Sequence, residues 1–516
     1  MVPNMNILAT NKHSCVLKVW NEKMPNVPYS NCYGQVKSKS MKKNYKGEWF
    51  LPKSENKLSG ELIFDDNIRK ITLILFSEIY ITGERIIKNQ LIFLKNKNHF
   101  EIILGESDHL FTLYNCLLKS TESIGRLTKI VYNVEFAFSY VHLEDMNSLK
   151  INNIEAKFPF LSSFFDGFDS IKDCFNETEK TEYSKLLPIT DNLNLKLVDN
   201  YNKNITNFNE GYELKYSKTI QFEYLRKKNF KEALKDIYTF SSLLSFVTKE
   251  PICFSIKIIS IPIEYLSRFD KYFTIQNQSL PCFVMNYTQN ESCDVNKTFL
   301  HQNLMLFSKF THSEEILIQL IKNWYLNKNL KPIYDFYIDS ENWFKGKSMI
   351  LSNVMFNNKF LNIIQGIESY YDISNIEFNG NNENFTKNRQ EVLNKIDCPK
   401  LNKWVSTNLK YPKTPTLVHK LDFLIEKFKD VILSINNIEP FIENYSIKAK
   451  DCRHKLSHGR IETTYQGRDF DKIYTFSKIL LCFCILDSLN IEISGIKRIC
   501  SSNENLNREF IKITSP

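Results

Sequence analysis

The 516-residue chain has no apolar run long enough to cross a membrane, no signal-like leader and no glycine-rich phosphate loop. Its longest apolar run, ILLCFCIL (479–486), ends at Asp487, far short of the roughly 18 residues a membrane span needs. The opening MVPNMNILATNKHSC lacks the apolar core of a secretory leader. Twelve cysteines are present, but none forms a C-x-x-C pair, and a chain of this length does not need disulfide staples. The thiols are therefore expected to be reduced and mostly buried. Together these absences predict a cytoplasmic protein that does not engage a membrane.

What is present is core material. The apolar fraction is 43%, with 39 Phe and 25 Tyr, which sets disorder aside as the main theme. The length predicts two or three domains. A net charge of +9 suits a polyanionic partner without establishing one, because the chain is generally rich in Asn, Lys and Ile and poor in Ala.

In the first third, GEWFLP, LSGELIF, RKITLILF, NQLIFL, HFEIILG and TKIVYNVEFAFSYVHL are short β-branched and aromatic runs between polar clusters. They predict an antiparallel sheet, sandwich or barrel over residues 1–170. A mixed region, 171–333, follows with a helix over 230–250 and a strand over 252–261, and is expected to pack with the first. From 334 to 516 the pattern is helical. A long helix is predicted over 340–373, then an Asn-rich loop, NGNNENFTKNR (379–389). Leu417, Leu421, Leu424, Phe428 and Val431 mark an amphipathic second helix, Ile438 to His458 a third, and 470–489 an apolar fourth. The fold class is α+β: a β-rich N-terminal region followed by an all-α bundle of four-helix type.

The segment KDCRHKLSHGR (450–460) holds two of the chain's nine histidines, with an arginine directly before the first. On the third helix Phe441, Tyr445, Ala449, Cys452 and Leu456 share one stripe that faces the core, so Cys452 reads as packing material. His454 and His458 fall on the opposite face, one turn apart, flanked by Arg453. Gly459 is the natural residue to end the helix, which puts His458 in its last turn, where cations complement the helix dipole. An imidazole in such a place can give and take protons near neutral pH. Two other readings stay open on the residues alone. His454 and His458 have the spacing of two zinc ligands, but Lys455 stands where the metalloprotease motif carries glutamate, and a third ligand would have to come from elsewhere. The segment also reads as a solvated polar face with helix-end cations.

In this helical setting RHKLSH resembles the R-x4–6-H signature of HEPN domains, with His454 at the polar position that often follows the arginine. The resemblance covers roughly residues 335 to 500, from the long helix with NIIQGIESYYDI to the apolar closing helix. More narrowly the chain is similar to ApeA-type antiphage proteins, in which a β-rich N-terminal domain precedes the HEPN bundle. GEWFLPKSENKLSGELIFDDNIRKITLILFSE resembles the opening of that region.

The resemblance implies a metal-independent endoribonuclease with no cofactor, acting in abortive infection and held in check by an N-terminal region that senses a phage-derived trigger. It implies a homodimer or a higher even oligomer through the HEPN domain, with two motif helices meeting at one composite site. The RNA supplies its own 2′-hydroxyl nucleophile, giving 2′,3′-cyclic phosphate and 5′-hydroxyl ends, and transfer RNA is the natural target of a growth-arresting nuclease. Carried onto this chain, Arg453 stabilises the charge on phosphorus, His458 is the acid or base, and His454 orients the site or contacts RNA. Glu368 matches an acidic position often seen in that family, where it would hold an active-site cation, and also reads as an ordinary exposed glutamate. On the residues themselves Lys455 and Arg460 are the nearest candidates for phosphate contacts, with solvated surface the plainer reading, and Tyr370 and Tyr371 could stack on a base, with core packing expected for at least one. Residues 401–460 carry eleven Lys and Arg against six Asp and Glu, which would attract an RNA backbone. Arg453 and His458 lie about 140° apart on an ideal helix, so they converge if the helix end distorts or if two subunits share the work. The alternatives are a non-catalytic HEPN module for dimerisation or for RNA or nucleotide binding, and a metallohydrolase built on His454 and His458.

Overall fold

In the strand Leu58–Asp65 every second residue, Leu58, Gly60, Leu62 and Phe64, is buried, as expected of a strand with one face on a core. The computed structural model describes residues 17–18, 42–65, 70–78, 98–124, 127–165, 184–207, 211–266, 268–269, 279–286, 300–308, 312–340, 349–374, 382–408, 415–435, 437–458 and 467–515. The chain divides into two units, Met1–Lys322 and Asn323–Pro516. The division falls inside the helix Glu314–Leu326, ahead of the boundary that the sequence pattern places after residue 333.

Six strands of the first unit close on themselves. They are β1 (Lys42–Phe50), β2 (Leu58–Asp65), β3 (Lys70–Glu78), β4 (His99–Glu106), β5 (Leu110–Ile124) and β6 (Leu127–Ser139). Antiparallel pairings run β1–β2–β3–β6–β5–β4 and return from β4 to β1 through Trp49↔Gly105. Of the three β architectures open to the sequence, this part of the chain is a barrel, and closure removes the unpaired edges a flat sheet would expose. Its interior is filled by Trp49, Leu62, Phe64, Phe111, Tyr132 and their neighbours. Gly105 lies against the indole of Trp49, and a Cβ there would land inside the ring.

A second row of antiparallel strands extends from β6. It comprises β7 (Lys150–Lys157), β8 (Ser184–Thr190), β9 (Leu193–Asn207), β10 (Gly211–Asn229), β11 (Ser255–Pro262) and β12 (Ser279–Asn286). Their order is β12–β11–β7–β10–β9–β8, with β12 pairing to β6 at Phe136–Phe138. Helix α1 (Phe230–Thr248) starts at Asn229, whose side chain accepts from Lys231 N at 2.9 Å, and packs on β7 and β10. Its Phe230 ring meets Phe136 and Phe138 at 5.8 and 5.6 Å, and Phe240 meets Phe158 at 5.1 Å. The run NQLIFL lies outside the described residues.

The second unit is helical: α2 (Leu330–Ser340), α3 (Met349–Ile373), α4 (Asn382–Asn394), α5 (Pro399–Asn408), α6 (Leu417–Lys427), α7 (Tyr445–Ser457), α8 (Arg468–Ser488), α9 (Ile493–Ser502) and α10 (Glu504–Thr514). Two single turns, Lys429–Ile432 and Glu439–Ile442, complete it. The predicted third helix, 438–458, is thus two pieces. The predicted loop 379–389 runs instead into α4, a helix that is polar nearly all round and so shows no apolar period. Six described cysteines, including Cys398, Cys452 and Cys484, are free thiols; Cys253 is disulfide-bonded, a departure from the reduced set expected. Among the described residues no helix is long and apolar enough to cross a membrane.

The barrel interior has no slack beside Trp49. Gly105→Ala is expected to lower stability by about 1–3 kcal/mol through overpacking, and Trp49→Ala by about 3–5 kcal/mol through cavity formation. Both are read as shifts in the urea unfolding midpoint. A Gly105→Ala protein as stable as the parent would show that the indole has room to move.

Candidate active site

The helix that carries the arginine–histidine segment is positioned by its apolar stripe. Tyr445, Ala449 and Cys452 are fully buried, while Phe441 and Leu456, at the ends of the stripe, are half-buried. Pro440 opens the preceding turn, where its missing N–H costs nothing. The ring of Phe476 on α8 then meets Phe441 at 5.5 Å and Tyr445 at 4.6 Å. The Tyr445 hydroxyl reaches Ser477 Oγ at 2.7 Å. Burial pushes the Cys452 thiol up to about 12, so it is a packed thiol and not a nucleophile.

With one face committed to the core, the other is left to solvent. Arg453, His454, Ser457 and His458 are exposed, and Lys455 is half-buried. Helix α7 ends at Ser457; His458 caps it, donating its backbone N–H to Leu456 O. The imidazoles of His454 and His458 meet edge to face, with centroids 4.6 Å apart and planes at 68°. Gly459 and Arg460 lie outside the described residues.

Arg453 Nη2 lies 3.5 Å from Glu368 Oε2 of α3, at the outer limit of a hydrogen bond. A pair this exposed is worth at most about 1 kcal/mol, so Glu368 steers the guanidinium without locking it. Tyr371 is placed differently from the expectation. It is only 5% exposed, its ring is edge-on to Phe423 at 5.5 Å, and Lys420 Nζ sits 5.5 Å from its centroid. Those neighbours occupy the ring, which leaves Tyr371 no face on which to stack a base.

Sequence reasoning passed over the polar latch beside Glu368. Lys427 Nζ donates to Tyr370 OH at 2.7 Å and to Asp487 Oδ2 at 2.8 Å, and Tyr370 OH donates to the same oxygen at 2.5 Å. Burial above all, with Cys484 and Asp487 adding to it, raises the pKa of the Tyr370 hydroxyl. One position beyond Tyr371, Asp372 accepts from Lys420 Nζ at 2.6 Å. Two lysines of α6 therefore fix the end of α3 that carries Glu368. The one signal for this in the sequence is Asp487, an acid closing a run of buried apolar residues.

The site thus offers two exposed imidazoles for proton transfer and a loosely held guanidinium for an anion. Among the described residues no group of three or more His, Cys, Asp or Glu side chains is arranged to hold a metal ion.

A β-barrel unit followed by a helical bundle with an exposed R-x4-H segment defines an α+β protein carrying a HEPN-type domain. The family model for "Apea-like HEPN" matches residues 361–492, which include every site residue named above. That for "ApeA N-terminal domain 1" matches residues 44–324, more than half of the chain. The chain belongs to the ApeA family of HEPN proteins. Comparison with curated proteins and with solved structures gives no match.

Cys398 is exposed and Cys452 fully buried. Maleimide labelling at pH 8 followed by peptide mapping is expected to modify Cys398 within minutes and Cys452 only after unfolding. Rapid modification of Cys452 in the folded protein would contradict its place in the core.

Proposed function

We propose that this protein is a metal-independent endoribonuclease of antiphage defence whose site is built on Arg453, His454 and His458. The observation that carries the reading is the joint exposure of these three side chains at the end of a helix whose opposite face is fixed in the core. Membership of the ApeA family supports the defence role and the HEPN assignment.

In the reaction, one imidazole takes the proton from the ribose 2′-hydroxyl as its oxygen attacks the adjacent phosphorus. The bond from phosphorus to the 5′-oxygen breaks, and a second acid returns a proton to that leaving oxygen. Arg453 stabilises the charge on the equatorial oxygens between these events. The products are a 2′,3′-cyclic phosphate and a 5′-hydroxyl. His458 is the acid or base and His454 orients it. Lys455 contributes to phosphate attraction, Arg460 does the same beyond the described helix, and Glu368 holds Arg453.

The reading includes a homodimer in which two copies of α7 share the chemistry. Ile447, 53% exposed, stands on the same face as His454 and His458 at spacings of seven and eleven residues, an apolar contact available to a second copy. Transfer RNA is the substrate to offer first, and the β-barrel unit is the part we assign to restraint and triggering.

Cleavage of transfer RNA by the full-length protein in excess EDTA tests the reading, beside Arg453→Ala, His454→Ala and His458→Ala. Activity is expected to survive EDTA, to leave cyclic phosphate ends, and to fall about 10²–10⁴-fold in the Arg453 and His458 variants. Loss of cleavage in EDTA, restored by zinc, would instead make His454 and His458 metal ligands. RNA bound but not cut by the wild type, in vitro and in phage-challenged cells, would leave a binding module.

A further inference from the structure

The last turn of α3 is gripped from one side by α6. Lys420, Phe423 and Lys427 stand at spacings of three and four, so they share one face of α6. In reverse order they touch three consecutive residues of α3. Lys427 Nζ donates to Tyr370 OH at 2.7 Å, the Phe423 ring lies edge-on to Tyr371 at 5.5 Å, and Lys420 Nζ donates to Asp372 Oδ1 at 2.6 Å. The turn they hold is where the helix closes: Ser374 donates to Tyr370 O through its backbone N–H at 3.0 Å and through its hydroxyl at 2.7 Å. Glu368 lies one turn before Asp372 and shares its side of α3, from which it reaches Arg453.

The three contacts are unequal. Phe423 and Asp372 are exposed, whereas Tyr370 is buried and Lys427 and Asp487 are half-buried. Of the three, the Lys427 contact is the one that extends to α8: the same ammonium donates to Asp487 Oδ2 at 2.8 Å, and Tyr370 OH donates to that oxygen at 2.5 Å. Without the ammonium a half-buried carboxylate keeps the phenol as a donor but loses its counter-charge, and desolvation then works against the arrangement. Lys427 therefore refers the end of α3 to a helix whose residues 479–486 are all buried. We propose that Lys427 is a positioning residue: by tying Tyr370 to Asp487 it sets the rotation of the last turn of α3 and, through Glu368, the direction in which Arg453 presents its guanidinium. This rests on the ribonuclease reading and adds to that site a residue that acts on Arg453 from a distance. Because the contact between Glu368 and Arg453 is long and exposed, the latch controls a factor of about 2 to 5 through it.

The test is a double-mutant cycle on the full-length protein, Lys427→Met against Glu368→Gln, with two readouts. One is kcat/KM for transfer RNA cleavage. The other is the rate at which phenylglyoxal modifies Arg453, followed by peptide mapping. Lys427→Met alone is expected to lower kcat/KM about 2- to 5-fold and to speed Arg453 modification by a similar factor, because a guanidinium released from a carboxylate is more reactive. In the Glu368→Gln background the same substitution should change neither. Tyr370→Phe removes one hydroxyl and leaves the Lys427–Asp487 pair, so it keeps the test open where Lys427→Met does not fold; it is expected to move both readouts in the same direction. If Lys427→Met has the same effect with and without Glu368, the latch only supports the fold and the proposal is overturned. Unchanged values of both readouts in Lys427→Met and Tyr370→Phe overturn it as well. If the parent cuts no RNA, the ribonuclease reading falls alone and the modification rates decide: an effect of Lys427→Met that vanishes with Glu368→Gln upholds the positioning of Arg453, and an additive one overturns it.

Discussion

Helix α8 has no side to give to water: from Ile479 to Leu486 every residue is buried. A helix of that kind must be covered all round, and α2, α3, α7, α9 and α10 all pack against it. This requirement fixes α7. Tyr445, Ala449 and Cys452 must face inward, and because successive side chains turn by about 100°, Arg453, His454 and His458 must then face outward. The exposure of the candidate site is thus set by the hydrophobic demand of its neighbour.

Much of this is legible in the amino-acid sequence. Strand and helix periods marked the β-rich and helical parts, and the α+β class follows from their order. The stripe through Tyr445 and Cys452 put the two histidines on the far face. Barrel closure was not legible, because it depends on which non-adjacent strands pair, and Trp49 facing Gly105 is a contact between distant parts of the chain. Helix α4 was missed because a polar helix has no apolar rhythm to betray it. The role of Tyr371 is a failure of a different kind: a tyrosine beside a tyrosine on an amphipathic helix gives no hint of which ring the core takes, and here it takes both.

The electrostatics of the site are graded by depth. The Lys427–Tyr370–Asp487 group is short and partly shielded, and bonds made in such surroundings resist both salt and motion. Three residues before Tyr371, the contact between Glu368 and Arg453 is long and wet. Depth thus separates a shielded group whose bonds tie α3 to α6 and α8 from an exposed guanidinium that little restrains.

Strand β6 belongs to two structures at once. It completes the barrel through β3 and β5, and its residues Phe136–Phe138 also accept β12. All six barrel strands end by Ser139, whereas β12 begins at Ser279. During synthesis the barrel can close while the rest of the unit is still being made, and the finished wall then serves as the template on which the later strands register. The strands from β7 to β10 can pair among themselves by residue 229, but their junction with the barrel must wait for β12, far along the chain, and closing so long a loop is slow. The barrel's pairings are thus all available before the strand that joins the second row to β6 has been made.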